Sequence, residues 1–376
     1  MHTYFFLLGT TSKLSFAELS CVLNQYHPEQ LSDHIVRLET AEMLKPQELQ
    51  NCLGGCVKIL QGEVVLPAVS PQEIAKAIAL LVPENRVTFA FGEFNRAAEE
   101  QIAAAEIKKE LVALGKSARF IAGNRSGISA AILLHQQKVH EFVVITSPEH
   151  SYLARTVAVQ NIDDWTVRDR RKPYADRKKG LLTPKVARIL LNINRSFDHS
   201  KQRVVLDPFC GSGNILLENA VLTDAGIGVD LDKKSVRGVE SNLEWFSKTY
   251  QQSHNQRVYL GDATHIPEHI AQVVTAIVTE PFLGKPKPKP EQVPDIFRGL
   301  AKLYLGAFKN WRSFLPNGAP VTIIFPHTLV GEKEYTMDAL IDKLLPLGYT
   351  TVSGPLKYSR PDAIVSRSIY TFIFKK

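Results

Sequence analysis

The sequence predicts an α/β protein: a doubly wound, mostly parallel sheet beyond about residue 181, preceded by an α+β region. Three observations carry this. From Leu181 onward, fully apolar strands alternate with amphipathic helices at regular intervals, the pattern of a parallel sheet covered on both faces. The strands of that region end in glycines, acids or prolines (DPFCGSGN, GVDLD, GDA, TEP), where such sheets place their ligands. And 376 residues exceed what one core usually covers, which calls for two to three domains.

Taken in order, the first 65 residues read as YFFLLG (strand), SFAELSCVLNQY (helix), HIVRL (strand), KPQELQNCL (helix) and VKILQGEVV (strand). Ser15 and Glu18 have the spacing of a capping box at the head of the first helix. The βαβαβ order predicts a small ferredoxin-like α+β unit over residues 1–66. A second α/β pass over 67–162 runs through the helix SPQEIAKAIALLV, the strand VTFAFGEF and a long helix AAEEQIAAAEIKKELVALG ending at Gly115. It continues with ARFIAG, a short helix at SAAILLH, and the strands EFVVIT and YLARTVAVQ. After a basic linker at 163–181, residues 182–376 give the helix PKVARILLNIN, the strands VVLDP, GIGVDL, RVYLGDA and TAIVTEP with helices between them, then a long helix from Pro294 to Leu315. The strand PVTIIFP, another helix and a closing pair near TVSGPLKY and RSIYTFIFK complete the domain.

Composition narrows the functional classes. With 44% hydrophobic and 22% charged residues and no long apolar run, the chain reads as soluble and cytoplasmic, its first apolar run a strand and not a leader. Four scattered cysteines do not make a disulfide framework, and the Cys52/Cys56 pair lacks a second pair of ligands to complete a zinc site, so no metal is expected. The net charge of +7 is concentrated: residues 167–201 hold eleven basic side chains against three acidic ones, and the remainder is nearly neutral. Such concentration predicts a phosphate-binding footprint, carried by Arg170, Arg171, Lys172, Arg177, Lys178 and Lys179.

The strand ends supply the chemistry. In DPFCGSGN, Gly211 and Gly213 let the backbone turn tightly and approach a ligand. Position 216 is leucine, where a dinucleotide fingerprint needs glycine, and no Gly-Lys-Ser/Thr follows, so this is not a phosphate loop. Asp230 stands where a carboxylate accepts both hydroxyls of a ribose. Asp262 stands where it accepts from an adenine amine, with the backbone of Ala263 reading a ring nitrogen. Glu280 reaches the same crevice.

With these residues, the second half resembles the class I S-adenosylmethionine-dependent methyltransferases, Rossmann-like in fold, and LDPFCGSGNILLENA resembles the first motif of the branch that modifies RNA amines. RDRRKPYADRKKGLLTPKVARIL, YLARTVAVQNID and SRPDAIVSRSIYTFIF are similar to segments of the tRNA guanosine-N2 methyltransferases with a THUMP domain. The resemblance implies a THUMP-like domain that binds the tRNA acceptor end, S-adenosyl-L-methionine as cofactor, and transfer to the N2 amine of a tRNA guanosine. It also implies that Asp207, Phe209, Gly211 and Gly213 cradle the methionine portion of the cofactor, Asp230 its ribose, and Asp262 and Ala263 its adenine.

One departure stands out. Such enzymes end their fourth strand in Asp or Asn, Pro, Pro, then Tyr or Phe, where an acceptor and a backbone carbonyl hold the amine while a ring stacks on the base. Here the residues are Glu280, Pro281, Phe282 and Leu283. The extra methylene moves the carboxylate by about an ångström, a displacement that costs on the order of a hundredfold in rate unless the backbone compensates. Two readings follow: a variant amine acceptor, or a tRNA-binding protein that transfers nothing by itself or needs a small activating subunit. A nucleic-acid amine methyltransferase acting on DNA or rRNA is a further alternative. Lys285 and Lys287, in the extended KPKPKP run, are expected to track a phosphate backbone beside the site.

Overall fold

Two eight-stranded sheets carry the architecture of the computed structural model, one in each of two units, Met1–Asp164 and Trp165–Lys376. The structure describes residues 1–376 apart from 137, 177–181 and 360–362 and the side chain of residue 98.

In the first unit the chain runs β1 (His2–Leu8), α1 (Ser12–Val22), β2 (Glu29–Gln30), β3 (Ile35–Thr40), α2 (Pro46–Cys52) and β4 (Cys56–Leu66). It goes on through α3 (Pro71–Leu81), β5 (Arg86–Phe94), α4 (Ala104–Ala113), β6 (Ser117–Phe120), α5 (Ala130–His135), β7 (His140–Thr146) and β8 (Ser151–Val159), and the boundary between the units falls within the next helix, α6 (Ile162–Arg170). The sheet order is β2-β3-β1-β4-β8-β7-β5-β6, so antiparallel pairing of β4 with β8 joins the two sequence segments into one sheet. Alternate residues of β1 (Tyr4, Phe6, Leu8) pack under α1 with Leu19 and Leu23. At the centre of the sheet the buried Lys58 ammonium donates to both oxygens of Glu141 at 2.7 and 2.8 Å and to the Ile128 carbonyl at 2.6 Å.

Two local expectations fail here. Ser15 and Glu18 do not form a capping box, because α1 starts three residues earlier at Ser12. The Ser15 hydroxyl donates to the Thr11 carbonyl, and the buried Glu18 carboxylate accepts the amides of Gly54 and Gly55 at 2.9 and 2.8 Å. The long helix expected before Gly115 begins only at Ala104, where Glu106 caps its first turn through the Ala103 amide.

The second unit runs α7 (Pro184–Arg195), β9 (Val204–Asp207), α8 (Asn214–Val221), β10 (Ala225–Asp230), α9 (Lys233–Tyr250), β11 (Gln256–Leu260), α10 (Glu268–Ala271) and β12 (Ala276–Thr279). Then come α11 (Val293–Trp311), β13 (Pro320–Val330), β14 (Lys333–Tyr335), α12 (Asp338–Leu344), β15 (Tyr349–Tyr358) and β16 (Ser366–Phe374). The strand order β11-β10-β9-β12-β13-β16-β15 is parallel from β11 to β13, and the closing pair β15–β16 is antiparallel. The doubly wound expectation is borne out. Chain direction across the sheet reverses beside β9, which opens a crevice at the carboxyl ends of β9 and β12. One face of the sheet is sealed by aromatics, with Phe308 of α11 against Trp311 and Tyr349 at 4.8 Å and against Phe372 at 5.8 Å between ring centroids.

Candidate active site

The loop after β9 is shaped by glycine. Gly211 and Gly213 both have left-handed φ, 52° and 77°, and a Cβ on Gly213 would lie 2.9 Å from Val239 Cγ1. The Gly211 amide donates to Asp230 Oδ2 at 2.8 Å and the Asp232 amide to Asp230 Oδ1 at 2.8 Å, so one carboxylate ties the ends of β9 and β10 together. Each oxygen keeps a second acceptor position for a ligand hydroxyl.

Asp207 lies beneath this loop, 2% exposed, accepting from the Thr279 hydroxyl at 2.7 Å and the Phe209 amide at 3.3 Å. Its carboxyl is pushed up to about 7, chiefly by burial and in smaller part by the charges of Asp230 and Glu280, against the downward pull of those two hydrogen bonds. Asp262, after β11, is held by the Thr264 amide and hydroxyl, both at 2.8 Å. Partial burial pulls that carboxyl upward, but the Thr264 bonds and nearby His265 outweigh it and leave it below its ordinary value. Ala263 is buried, and its carbonyl accepts from Trp311 Nε1 at 3.0 Å. Asp207 and Asp230 therefore close β9 and β10, and Phe209, Gly211, Gly213, Asp262 and Ala263 lie just past β9 and β11, all at the carboxyl edge of the sheet.

At the end of β12, Glu280 is pinned by a residue that sequence reasoning did not pair with it. Arg367 of β16 donates through Nε to Glu280 Oε1 at 2.5 Å, with the two side chains 9% and 13% exposed. The guanidinium carbon lies 5.8 Å from the Tyr358 ring centroid. Pro281 is buried, Phe282 is 58% exposed, and Leu283 is half-buried. The Phe282 carbonyl accepts from the Tyr304 hydroxyl at 2.6 Å; burial first, and then the charge of Glu280, raise that phenol's pKa. The sequence holds two separate hints, an arginine at the head of the apolar strand SRSIYTFIF and an acid at a strand end that needs a partner, but nothing local that joins them.

The basic footprint divides. Arg170 and Arg171 are exposed, as are Lys285 and Lys287 on the loop after the site, while Arg177, Lys178 and Lys179 lie outside the described residues. Lys172 is corrected: it is 6% exposed, and its ammonium bonds Asn214 Oδ1 at the start of α8, so it does not face a phosphate backbone. Arg168 and Arg188 are buried too, both on Glu218 of α8 at 2.6 Å, with Trp165 beside their guanidinium groups at 4.3 and 5.5 Å. Part of the local positive charge thus serves packing. Among the described residues no group of three His, Cys, Asp or Glu side chains is placed to hold a metal, and no helix is long and apolar enough to cross a membrane.

The RMKL-like methyltransferase domain of the UPF0020 family matches residues 171–309. A probable tRNA (guanine(10)-N2)-dimethyltransferase of Methanothermococcus thermolithotrophicus is 31% identical over 117 residues, covering 31% of this chain and 70% of that protein. The chain belongs to the tRNA guanine-N2 methyltransferase family. Another tRNA (guanine(10)-N2)-dimethyltransferase, from Methanothermobacter thermautotrophicus, is 27% identical over 192 residues, and the match covers 51% of this chain and 50% of that protein. The counterpart from Pyrococcus abyssi is 31% identical over 137 residues, 36% of this chain and 38% of that protein. The chain thus spans half or less of these two relatives. The crystal structure of TrmN from Thermus thermophilus aligns over the whole of both chains with a TM-score of 0.56 at 18% identity, a likeness of fold. The cofactor of this methyltransferase class is S-adenosyl-L-methionine. The residues fit it: a cradle that a Cβ would fill at Gly213, and a carboxylate with free acceptor positions after the second strand.

Proposed function

We propose that the chain transfers a methyl group from S-adenosyl-L-methionine to the exocyclic N2 amine of a guanosine in tRNA. The observation that carries this reading is an acceptor carboxylate, Glu280, fixed at the end of β12 beside the glycine loop after β9. In this reading the loop from Asp207 to Gly213 holds the methionine portion of the cofactor, Asp230 its ribose, and Asp262 with the Ala263 amide its adenine. Bound there, the cofactor supplies an electrophilic methyl. The protein supplies position: Glu280 accepts a hydrogen bond from one N–H of the amine and the Pro281 carbonyl one from the other, exposed Phe282 stacks on the extruded base, and the single proton released as nitrogen gains the methyl leaves by way of Glu280.

The N-terminal unit, with a ferredoxin-like segment 1–66 and a THUMP-like segment 67–162, engages the tRNA, and a surface groove lined by Thr88, Arg119, His135 and Lys138 supports binding of a polyanion. Arg170, Arg171, Lys285 and Lys287 add phosphate contacts. In this reading the chain acts in the cytoplasm. A second reading, binding without transfer or with a small activating subunit, is favoured by the ion pair that already occupies one oxygen of Glu280.

Incubation of the purified chain with bulk tRNA and radiolabelled cofactor, followed by nucleoside analysis, separates the two. Label in N2-methylguanosine is expected; absence of label with cofactor and tRNA both bound supports the second reading.

A further inference from the structure

Glutamate in place of the usual aspartate or asparagine presents a mechanical problem. Its side chain has one more rotatable bond and one more methylene, so an unrestrained carboxylate samples several positions and only some meet the target amine. Arg367 removes that freedom. Its Nε anchors Oε1 at 2.5 Å, and its backbone is fixed inside the sheet between Pro326 of β13 and Tyr358 of β15. Among the described residues no donor reaches Oε2, which leaves that oxygen for a ligand. Further along the motif, the Tyr304 hydroxyl already engages the Phe282 carbonyl at 2.6 Å.

We infer that Arg367 is a positioning residue for methyl transfer: it holds Glu280 so that a single carboxylate oxygen meets the amine, compensating for the extra methylene. The inference rests on the transfer reading above and goes beyond it, since it assigns a role to a residue 87 positions from the motif it serves. Arginine suits the task better than lysine, because its planar group donates in a fixed direction while lying against Tyr358.

The test is a set of single-turnover and steady-state measurements on the full chain with tRNA: wild type, Arg367→Ala, Arg367→Lys, Glu280→Asp, and Glu280→Asp combined with Arg367→Ala. Cofactor binding and thermal melting are measured alongside, and Arg367→Lys serves as the folded variant should Arg367→Ala fail to fold. The expected result is a loss in kcat on the order of a hundredfold for Arg367→Ala at nearly unchanged KM for both substrates, partly recovered in Arg367→Lys. Aspartate is one methylene shorter and is expected to lose the hydrogen bond to Arg367, so removing the arginine from the Glu280→Asp chain is expected to cost little more. A merely structural role would give the same fold-loss in both backgrounds and would overturn the inference. So would an unchanged kcat, or an increase, which would make the ion pair a block. A wild-type chain that binds both substrates and transfers nothing overturns the transfer reading and the inference together.

Discussion

Arg367 Nε donates to Glu280 Oε1 at 2.5 Å across the carboxyl edge of the sheet, with both side chains largely withdrawn from solvent. A carboxylate at that depth needs a partner, and this one comes from β16, near the end of the chain. The contact joins the motif after β12 to the antiparallel pair that closes the sheet, so the geometry of the candidate acceptor depends on strands that do not line the cofactor loop.

Glu218 is the shared partner of Arg168 and Arg188, all three nearly inaccessible. Replacing Glu218 by alanine leaves two guanidinium groups buried without their carboxylate, and such losses cost about 3–5 kcal/mol. Chemical denaturation of the Glu218→Ala chain checks this; a change below about 1 kcal/mol, the range of an exposed pair, contradicts it.

Asp207 sets a pH dependence. Its carboxyl ordinarily titrates at 3.8 and is raised to about 7 in the fold, chiefly by burial. The folded chain therefore binds this proton more tightly than the unfolded chain. Its contribution to stability falls as pH rises through that window and levels off above it. Asp207→Asn keeps an acceptor for Thr279 without the charge. The Tm of wild type minus that of Asp207→Asn is expected to be larger at pH 5 than at pH 8; parallel profiles contradict the assignment.

Gly213 combines φ of 77° with a neighbour 2.9 Å from any added Cβ. Gly213→Ala is expected to weaken cofactor binding at least tenfold by calorimetry, because the loop must shift to relieve both strain and overlap. Undiminished affinity removes this loop from the cofactor site.

Lys285 and Lys287 are exposed beside the site. If they meet phosphates, replacing both by glutamine lowers the slope of log affinity for tRNA against log salt by about 0.7–0.9 per lysine. The same double change on Lys285 and Lys287 with no effect on the slope assigns them to a solvated loop.

The legible and illegible parts of the sequence divide along a physical line. Apolar strands alternating with amphipathic helices dictate the parallel sheet, and the glycines and acids just past the strands mark its ligand edge, because local sequence imposes both. Partners distant in sequence were out of reach: Glu280 with Arg367, Glu218 with Arg168 and Arg188, Lys172 with Asn214. The last two pairings explain why a basic run read as a phosphate footprint is partly interior. The run's composition is that of a nucleic-acid surface, but burial is decided by the acids and amides of α8. Ser15 and Glu18 carried the spacing of a cap, yet the carboxylate serves two backbone amides of a turn 36 and 37 residues away.

The central claim is tested most directly by methyl transfer from wild type and Glu280→Ala side by side, with tRNA and cofactor binding measured on the same preparations. The account predicts N2-methylguanosine from the wild type and, from Glu280→Ala, a rate lower by on the order of a hundredfold or more with both ligands still bound. Equal transfer by the two chains would remove Glu280 from the chemistry. No transfer by a wild-type chain that binds both ligands would contradict the account as a whole.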